Sequence, residues 1–188
     1  PTKNLGGIGD GGFLTTNDKA FYETCKRLRN HGQAEQYKHD SVGGNFRMDA
    51  IQAAALRVRL RDIERITTQR RENADRYRKL FAQAGIDGWL TLPTEVPDRH
   101  AYHQFVLRVP QEQRDPLLQH LREQGIGSAV YYPIPFHLQP CFRYLHGKRG
   151  DFPVAEHAAA TSLALPIFQG LTEAEQIDVV GAIAKFRR

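Results

Sequence analysis

The residue with the most distinctive chemistry near the start of the chain is Lys3, in the polar, glycine-dense stretch PTKNLGGIGDGG (1–12). A lysine amine condenses with an aldehyde once burial or nearby positive charge favours its neutral form. Glycines let the backbone turn tightly and let a flat ligand come close. Composition alone favours a solvated lysine in a terminal segment. The stretch therefore permits carbonyl chemistry at Lys3 without requiring it.

The same stretch also contains GIGDGG (7–12), which matches the pattern G-x-G-x-x-G. A dinucleotide fingerprint needs a strand before this pattern and a helix after it. Almost nothing precedes it here, and GFLTT (12–16) is predicted to form a short strand instead. No Gly-Lys-Ser/Thr follows, so a P-loop is absent as well. We therefore reject both phosphate-loop interpretations for this stretch.

The residues around Lys3 resemble a loop of a known protein family. Lys-Asn-Leu-Gly (3–6) followed by Gly-Asp-Gly-Gly (9–12) resembles the cofactor-lysine loop of the DegT/DnrJ-type pyridoxal-phosphate-dependent nucleotide-sugar aminotransferases. In that family the lysine carries the cofactor as a Schiff base. The resemblance implies that Lys3 has this role.

The second matching segment is GGNFRMD (43–49), which resembles the family's Gly-x-Asn-x-Arg-x-Asp signature. The family's asparagine reaches the cofactor phosphate of the neighbouring subunit. The resemblance implies that Asn45 is a phosphate ligand in trans, with Arg47 assisting. The family more often has an aromatic residue where Gly44 stands. Without the resemblance, the segment is a polar loop that ends in Asp49 as a helix N-cap.

The third segment is the aromatic loop YYPIPFHLQP (131–140), which two prolines stiffen. It resembles the family loop that faces the entrance of the active site and helps to bind the sugar nucleotide, which makes Tyr132 and His137 candidate substrate contacts. The family usually has His-Tyr-Pro where this chain has Tyr-Tyr-Pro, so one polar contact is lost. A structural role, with the loop packed on the sheet, is the alternative. A fourth segment, SLALPI (162–167), resembles the family's Leu-Ser-Leu-Pro run.

His31 is a further candidate for substrate binding, since it lies between Asn30 and Gly32 at the end of a predicted helix. Histidine is the side chain best suited to proton transfer near neutral pH. Such a residue is more often a simple helix-end residue.

The resemblance as a whole implies transfer of an amino group, usually from glutamate, to a nucleotide-linked keto-sugar. Lys3 would first hold pyridoxal 5'-phosphate and then, once displaced by the donor amine, act as general base and acid. The expected partners are that keto-sugar, the amino-acid donor and a second subunit, in a homodimer with shared active sites.

Two other functions remain open. Relatives that dehydrate sugars have histidine in place of the lysine, and Lys3 argues against that class. The other alternative is a non-catalytic binding or regulatory module. The chain has no initiator methionine and matches only the C-terminal half of a family member, so we expect a fragment that is active only with an upstream half.

The expected fold is α/β, the end of a fold type I transferase large domain followed by a small α/β domain. We predict large-domain residues at 1–49, a long linking helix at 50–84 and the small domain at 85–188. A first helix is predicted at 19–29, capped by Asn17 or Asp18 and followed by a polar loop at 33–49. The predicted strands are 89–93, 102–109 and 128–132, with a helix at 111–124 between the last two.

Toward the C-terminus the sequence predicts an alanine-rich helix from Phe152 and an extended stretch at 162–167. Thr172 and Glu175 form a capping box before the last helix. We expect that helix to bury one apolar side, which consists of Ile177, Val180, Ile183 and Phe186.

The composition and charge of the chain argue against several classes of function. The chain is 40% hydrophobic and 25% charged, and no apolar run approaches the ~18 residues of a membrane span. The net charge of +5 comes largely from residues 57–79, where acidic residues are interleaved, so a solvated helix is favoured over a nucleic-acid arm. Cys25 and Cys141 show no metal-ligand spacing, so no metal is expected and a cytoplasmic setting is the default.

Overall fold

The computed structural model describes residues 2–95 and 99–187, which form two compact units that divide between Glu64 and Arg65. The first unit contains the loop around Lys3 (residues 2–12), which we call the lysine loop, and the loop at 43–49, which we call the signature loop. The second contains the aromatic loop and the main hydrophobic core. The predicted division at 1–49, 50–84 and 85–188 stays a prediction.

Helix α1 spans Lys19–Leu28, within a residue of the predicted range. Asp18 caps it, because its carboxylate accepts hydrogen bonds from the main-chain nitrogens of Ala20 (2.8 Å) and Phe21 (3.1 Å). The helix terminates through Gly32, which has a φ of +68° and donates its N–H to the carbonyl of Arg27. Gly32 thereby satisfies one of the carbonyl groups at the end of the helix.

The segment predicted as one polar loop at 33–49 contains a small antiparallel hairpin. Strands β1 (Gln33–Glu35) and β2 (Lys38–His39) pair across a reversal in which Tyr37 has a φ of +65°. Polar residues dominate both strands, so hydrophobic alternation gave no signal for them.

The single helix predicted at 50–84 is wrong in one respect, because the chain forms two helices there. Helix α2 spans Ala50–Leu60 and helix α3 spans Ile63–Gln83. Between them the hydrogen bonds tighten to i→i−3, from Arg61 to Val58 and from Asp62 to Arg59. Asp49 occupies the N-cap position as predicted, but its side chain makes no capping hydrogen bond.

The second unit is built around a short antiparallel sheet. Strands β3 (Phe105–Arg108) and β4 (Ser162–Leu165) pair in register from Phe105↔Leu165 to Arg108↔Ser162. The strands predicted at 89–93 and 128–132 reduce to isolated bridges, Thr91 with Arg108 and Ala129 with Ala164. Each bridge extends the sheet by one residue pair, which is too short for a strand.

Three helices and two 3₁₀ helices complete this unit. Helix α4 is Gln111–Glu123, α5 is Pro153–Thr161 and α6 is Glu173–Arg187. The 3₁₀ helices are Phe136–Leu138 and Pro140–Leu145. The capping box before α6 is confirmed, since Glu175 accepts from the N–H of Thr172 and donates its own N–H to the Thr172 hydroxyl.

The core joins α3, the sheet, α4 and α6. Its fully buried side chains include Tyr77, Phe81, Phe105, Leu107, Leu117, Leu121, Leu163 and Ile183. The prediction of which α6 side chains are buried is partly wrong. Ile177 is 50% exposed, whereas Gln176 is buried beside Val180. Gln176 is satisfied there, because it donates to the Asn73 carbonyl and accepts from Arg76, both at 2.8 Å. Patterning by hydrophobicity alone could not assign an inward position to a glutamine.

The described helices offer no candidate for a bilayer-crossing segment. Within residues 2–95 and 99–187, acidic, histidine and cysteine side chains form no group that could hold a metal ion.

Candidate functional site

The lysine loop is held in place by two side chains of α2. Arg59 donates from Nε to the carbonyl of Leu5 at 3.2 Å. Gln52 is buried, accepts from the N–H of Ile8 at 2.9 Å and donates to the Gly9 carbonyl. Lys3 itself is exposed. The backbone beside the amine is therefore fixed by α2, while the amine faces solvent.

Gly6 shows why this loop needs a glycine. Its φ is +75°, and a Cβ there would lie 3.0 Å from the guanidinium of Arg59. Its N–H donates to the Lys3 carbonyl at 2.9 Å and closes a turn around the lysine. A larger residue would strain the turn and push against the arginine that anchors it.

The strand predicted at 12–16 is absent, which corrects that expectation. These residues have no regular secondary structure, and Phe13 and Leu14 are exposed. A strand needs a hydrogen-bonded neighbour. No described segment pairs with residues 12–16.

The signature loop holds Asn45 and Arg47 next to each other. Arg47 donates from Nε to Oδ1 of Asn45 at 2.9 Å and from Nη1 to Oδ1 of Asn30 at 3.2 Å. The guanidinium has no acceptor, so the Asn45 oxygen must face it and the amide N–H groups point elsewhere. Both side chains are exposed. The pair thus presents N–H donors toward solvent.

Close backbone packing sets the position of this loop. Gly44 donates to the carbonyl of Leu28 at 3.0 Å and accepts from the N–H of His31 at 2.9 Å. A Cβ on Gly43 would lie 2.4 Å from the Gly32 nitrogen and 2.5 Å from the Leu28 oxygen. Gly43 is therefore required where the loop crosses the end of α1.

His31 lies in the same cluster. It has a φ of +59°, and its carbonyl accepts from Nδ1 of His39 at 2.9 Å. Its main chain thus ties the helix end to both the signature loop and the hairpin. The residue itself is exposed. Substrate binding by His31 stays a prediction.

A polar groove of about 560 Å³ adjoins Arg47. Basic residues outnumber acidic ones in its lining. The basic residues are Lys26, Arg27, Arg29 and Arg47, against Glu23 and Glu35. Such a groove favours an anionic ligand.

The aromatic loop belongs to the second unit. Tyr132 is 70% exposed, so its hydroxyl is accessible to a ligand. His137 differs, because its side chain is only 10% exposed and Nε2 lies 3.0 Å from Oε1 of Glu156. Substrate contact by either residue stays a prediction, and the structure gives His137 a structural partner.

Glu156 was missed by the sequence analysis. Its Oε1 also accepts from the N–H groups of Gly150 (2.9 Å) and Phe152 (3.4 Å). Partial burial raises the pKa of this carboxyl, but the hydrogen bonds from Gly150, His137 and Phe152 outweigh burial and lower the pKa overall. Its only sequence signal is an acidic residue in the first turn of α5. Arg59 and Gln52 gave no such signal, because their partners lie more than 40 residues away along the chain.

The structure thus groups the candidates by unit. Lys3, His31, Asn45 and Arg47 belong to the first unit, where His31, Asn45 and Arg47 form one cluster and Lys3 lies in a separate loop on α2. Tyr132 and His137 belong to the second.

Comparison with known proteins gives a consistent result. The model of the DegT/DnrJ/EryC1/StrS aminotransferase family matches residues 1–184. A pleiotropic regulatory protein of Geobacillus stearothermophilus is 46% identical over 100% of this chain and 50% of its own length. The dTDP-3-amino-3,4,6-trideoxy-alpha-D-glucose transaminase of Streptomyces venezuelae is 37% identical over 99% of this chain and 48% of its own.

A solved structure matches as well. The S. venezuelae protein DesV, in complex with a ketimine intermediate, superposes with a TM-score of 0.89 at 35% identity, covering 98% of this chain and 49% of DesV. The chain spans about half the length of the curated relatives it matches.

Proposed function

The chain belongs to the DegT/DnrJ/EryC1/StrS aminotransferase family, and we propose that the whole protein transfers an amino group from glutamate to a nucleotide-linked keto-sugar, with pyridoxal phosphate as cofactor. Its mixed α/β fold is that of fold type I aminotransferases, as expected from the sequence. The S. venezuelae relative carries the name of a sugar transaminase, which supports the proposed substrate class.

The observation that carries the proposal is the anchored lysine loop. Arg59 and Gln52 fix the backbone on the C-terminal side of Lys3, and the amine is accessible. An amine on a fixed backbone can be aimed at one carbonyl carbon, which removes much of the entropic cost of the reaction.

The donor set fits the proposed cofactor, which carries an aldehyde and a phosphate. Lys3 supplies the amine. Asn45 and Arg47 supply N–H donors next to a groove with four basic residues, which suits a phosphate. When bound, pyridoxal phosphate supplies a ring that takes up the electron pair of the substrate's C–H bond.

The roles of the chain's own residues follow from this fit. Lys3 Nζ would hold the cofactor through its aldehyde group and, once free, would carry the proton that moves during transfer. Asn45 would donate to a phosphate oxygen of the cofactor in the neighbouring subunit, while Arg47, which donates to the Asn45 oxygen, would orient the amide and add positive charge. Each active site then needs two subunits, so the proposal includes a homodimer. We place the reaction in the cytoplasm, where the free thiols of Cys25 and Cys141 stay reduced.

Regulation without catalysis is the second candidate. It is favoured by one observation, the name of the relative with 46% identity, a pleiotropic regulatory protein. This candidate does not need an amine at position 3, whereas the enzyme does.

Titration with pyridoxal phosphate separates the two candidates. The full-length dimer and its Lys3→Ala variant are titrated while the visible absorbance band of the cofactor is followed, and glutamate is then added. The enzyme predicts a band shift that requires Lys3 and a second shift with glutamate. A protein whose spectrum responds to neither addition, or responds equally without Lys3, would favour regulation.

A further inference from the structure

Helix α2 carries an apolar stripe that the described residues of the first unit leave uncovered. The stripe consists of Ile51, Ala54 and Val58, whose spacing of i, i+3 and i+7 places them on one side of the helix. Ile51 is 77% exposed and Val58 is 63% exposed, and Ala54 is exposed between them. We call these three residues the α2 stripe. Two larger apolar side chains around a small one suit close packing against another helix.

A different side of α2 supports the lysine loop of the same chain. Gln52 is buried there and accepts a hydrogen bond from the N–H of Ile8. Arg59 donates to the carbonyl of Leu5. Because each residue turns a helix by about 100°, Gln52 and Arg59 do not share a side with the α2 stripe. A protein that packs on the stripe would therefore press on the same helix that fixes the backbone next to Lys3.

The charges at the two ends of α2 favour a second copy of the same helix as the occupant. Asp49 is exposed at the N-cap position, and its carboxylate makes no capping hydrogen bond. Arg61 is exposed at the C-cap position. In an antiparallel pair about a twofold axis, Asp49 of each copy meets the basic end of the other copy. Ile51 of one copy then lies opposite Val58 of the other, with Ala54 near the axis.

The α2 stripe also continues directly from the signature loop. That loop ends at Asp49, and α2 begins at the next residue, Ala50. Asn45 is exposed in the loop, and the proposed function requires it to reach the neighbouring subunit. Three side chains cannot supply the roughly 800 Å² per partner of a stable interface. The signature loop, next along the chain, can extend the same contact surface.

We propose that the α2 stripe packs antiparallel against the α2 stripe of a second copy of this chain, about a twofold axis near Ala54. The choice of partner rests on the proposed function, which needs two subunits, whereas the stripe rests on spacing and exposure alone. Each α2 holds the lysine loop of its own chain with one side and the partner subunit with another. The contact between subunits thus steadies the helix on which the lysine loop rests.

Sedimentation of the full-length apoprotein over a range of concentrations tests this interface. Val58→Asp places a carboxylate in the stripe of both copies and should raise the dissociation constant of the dimer about 30-fold or more, as expected for a central interface residue. The matched control is Leu60→Asp. Leu60 has a similar exposure (57% against 63% for Val58) but points to nearly the opposite side of α2. The control should leave the dissociation constant unchanged.

Cross-linking identifies the second copy directly and decides the matter even if Val58→Asp fails to fold. In a cysteine-free background of the full-length apoprotein, Ala54→Cys places a thiol near the twofold axis. A short bis-maleimide should then join two subunits into one covalent dimer. Leu60→Cys in the same background should remain a single chain on a denaturing gel, because its two copies lie on the outer sides of the helix pair.

Covering of the stripe by another part of the same full-length chain predicts different results. Val58→Asp would then lower the melting temperature at every protein concentration without changing the dissociation constant of the dimer. Ala54→Cys would give no covalent dimer. Either result would overturn the assignment, as would equal weakening of the dimer by Val58→Asp and Leu60→Asp.

Failure of this inference can be told apart from failure of the proposed function, because cross-linking of the apoprotein needs no pyridoxal phosphate. A protein that cross-links through Ala54→Cys but never attaches the cofactor to Lys3 has the interface without the proposed activity. A protein that attaches the cofactor to Lys3 but does not cross-link has the activity without this interface.

Discussion

Replacing Asn45 by alanine should weaken cofactor binding by the full-length protein. Arg47 Nε donates a hydrogen bond to Oδ1 of Asn45 at 2.9 Å, so the amide N–H groups of Asn45 can donate to a phosphate oxygen. A hydrogen bond to a charged group contributes about 1.5–3 kcal/mol. At 1.4 kcal/mol per tenfold, Asn45→Ala should raise the Kd of pyridoxal phosphate about 10- to 150-fold.

The Asn45→Ala variant also frees one hydrogen bond of Arg47, so a matched control is needed. Asn30→Ala removes the other acceptor of the same guanidinium, at 3.2 Å, and leaves Asn45 in place. We expect at most a few-fold change in Kd for Asn30→Ala, because the arginine keeps its bond to Asn45. Fluorescence titration of the full-length apoprotein with pyridoxal phosphate measures both variants. An unchanged Kd in Asn45→Ala, or equal losses in the two variants, would refute direct phosphate contact by Asn45.

Three further predictions concern the second unit. Substituting Tyr132 by phenylalanine and His137 by leucine should slow amino transfer to the keto-sugar more than the half-reaction with glutamate, and stopped-flow spectra that show equal slowing of both would assign the loop a structural role. Phe81→Ala should lower the free energy of unfolding by about 3–5 kcal/mol in urea titration, because this side chain is fully buried; a change of a few tenths of a kcal/mol would contradict the described core. The pKa of Glu156 is lowered from about 4.5, so its stabilising effect should be present above that pH and disappear as the pH falls through the lowered pKa. The difference in melting temperature between wild type and Glu156→Gln should therefore shrink with acidification, and a difference that persists in acid would contradict this.

Much of the fold could be predicted from local signals. Helix α1 was predicted with Asn17 or Asp18 as its cap, and Asp18 is the residue that caps it; the capping box at Thr172 was confirmed as well. These features depend on residues only a few positions apart, so short patterns specify them. The two bridges that replaced predicted strands depend instead on partners such as Arg108 and Ala164, which lie far away in sequence.

In the candidate site, too, some residues are identified by local sequence motifs and others only by contacts in the folded structure. Lys3 and Asn45 stand in contiguous motifs and were found from the sequence. The side chains that support the site, Arg59 beneath the lysine loop and Glu156 behind the aromatic loop, were not found. Arg59 acts on a backbone 54 residues away, and Glu156 contacts His137, which lies 19 residues away along the chain. Such long-range contacts leave no periodic trace in the sequence.

The central claim is that Lys3 is the residue to which pyridoxal phosphate attaches, and reductive labelling tests it most directly. The full-length protein is loaded with pyridoxal phosphate, reduced with borohydride, digested and mapped by mass spectrometry. We predict one dominant labelled peptide with the modification on Lys3, and loss of that label in Lys3→Ala. A label on another lysine, or labelling that survives the loss of Lys3, would contradict the account.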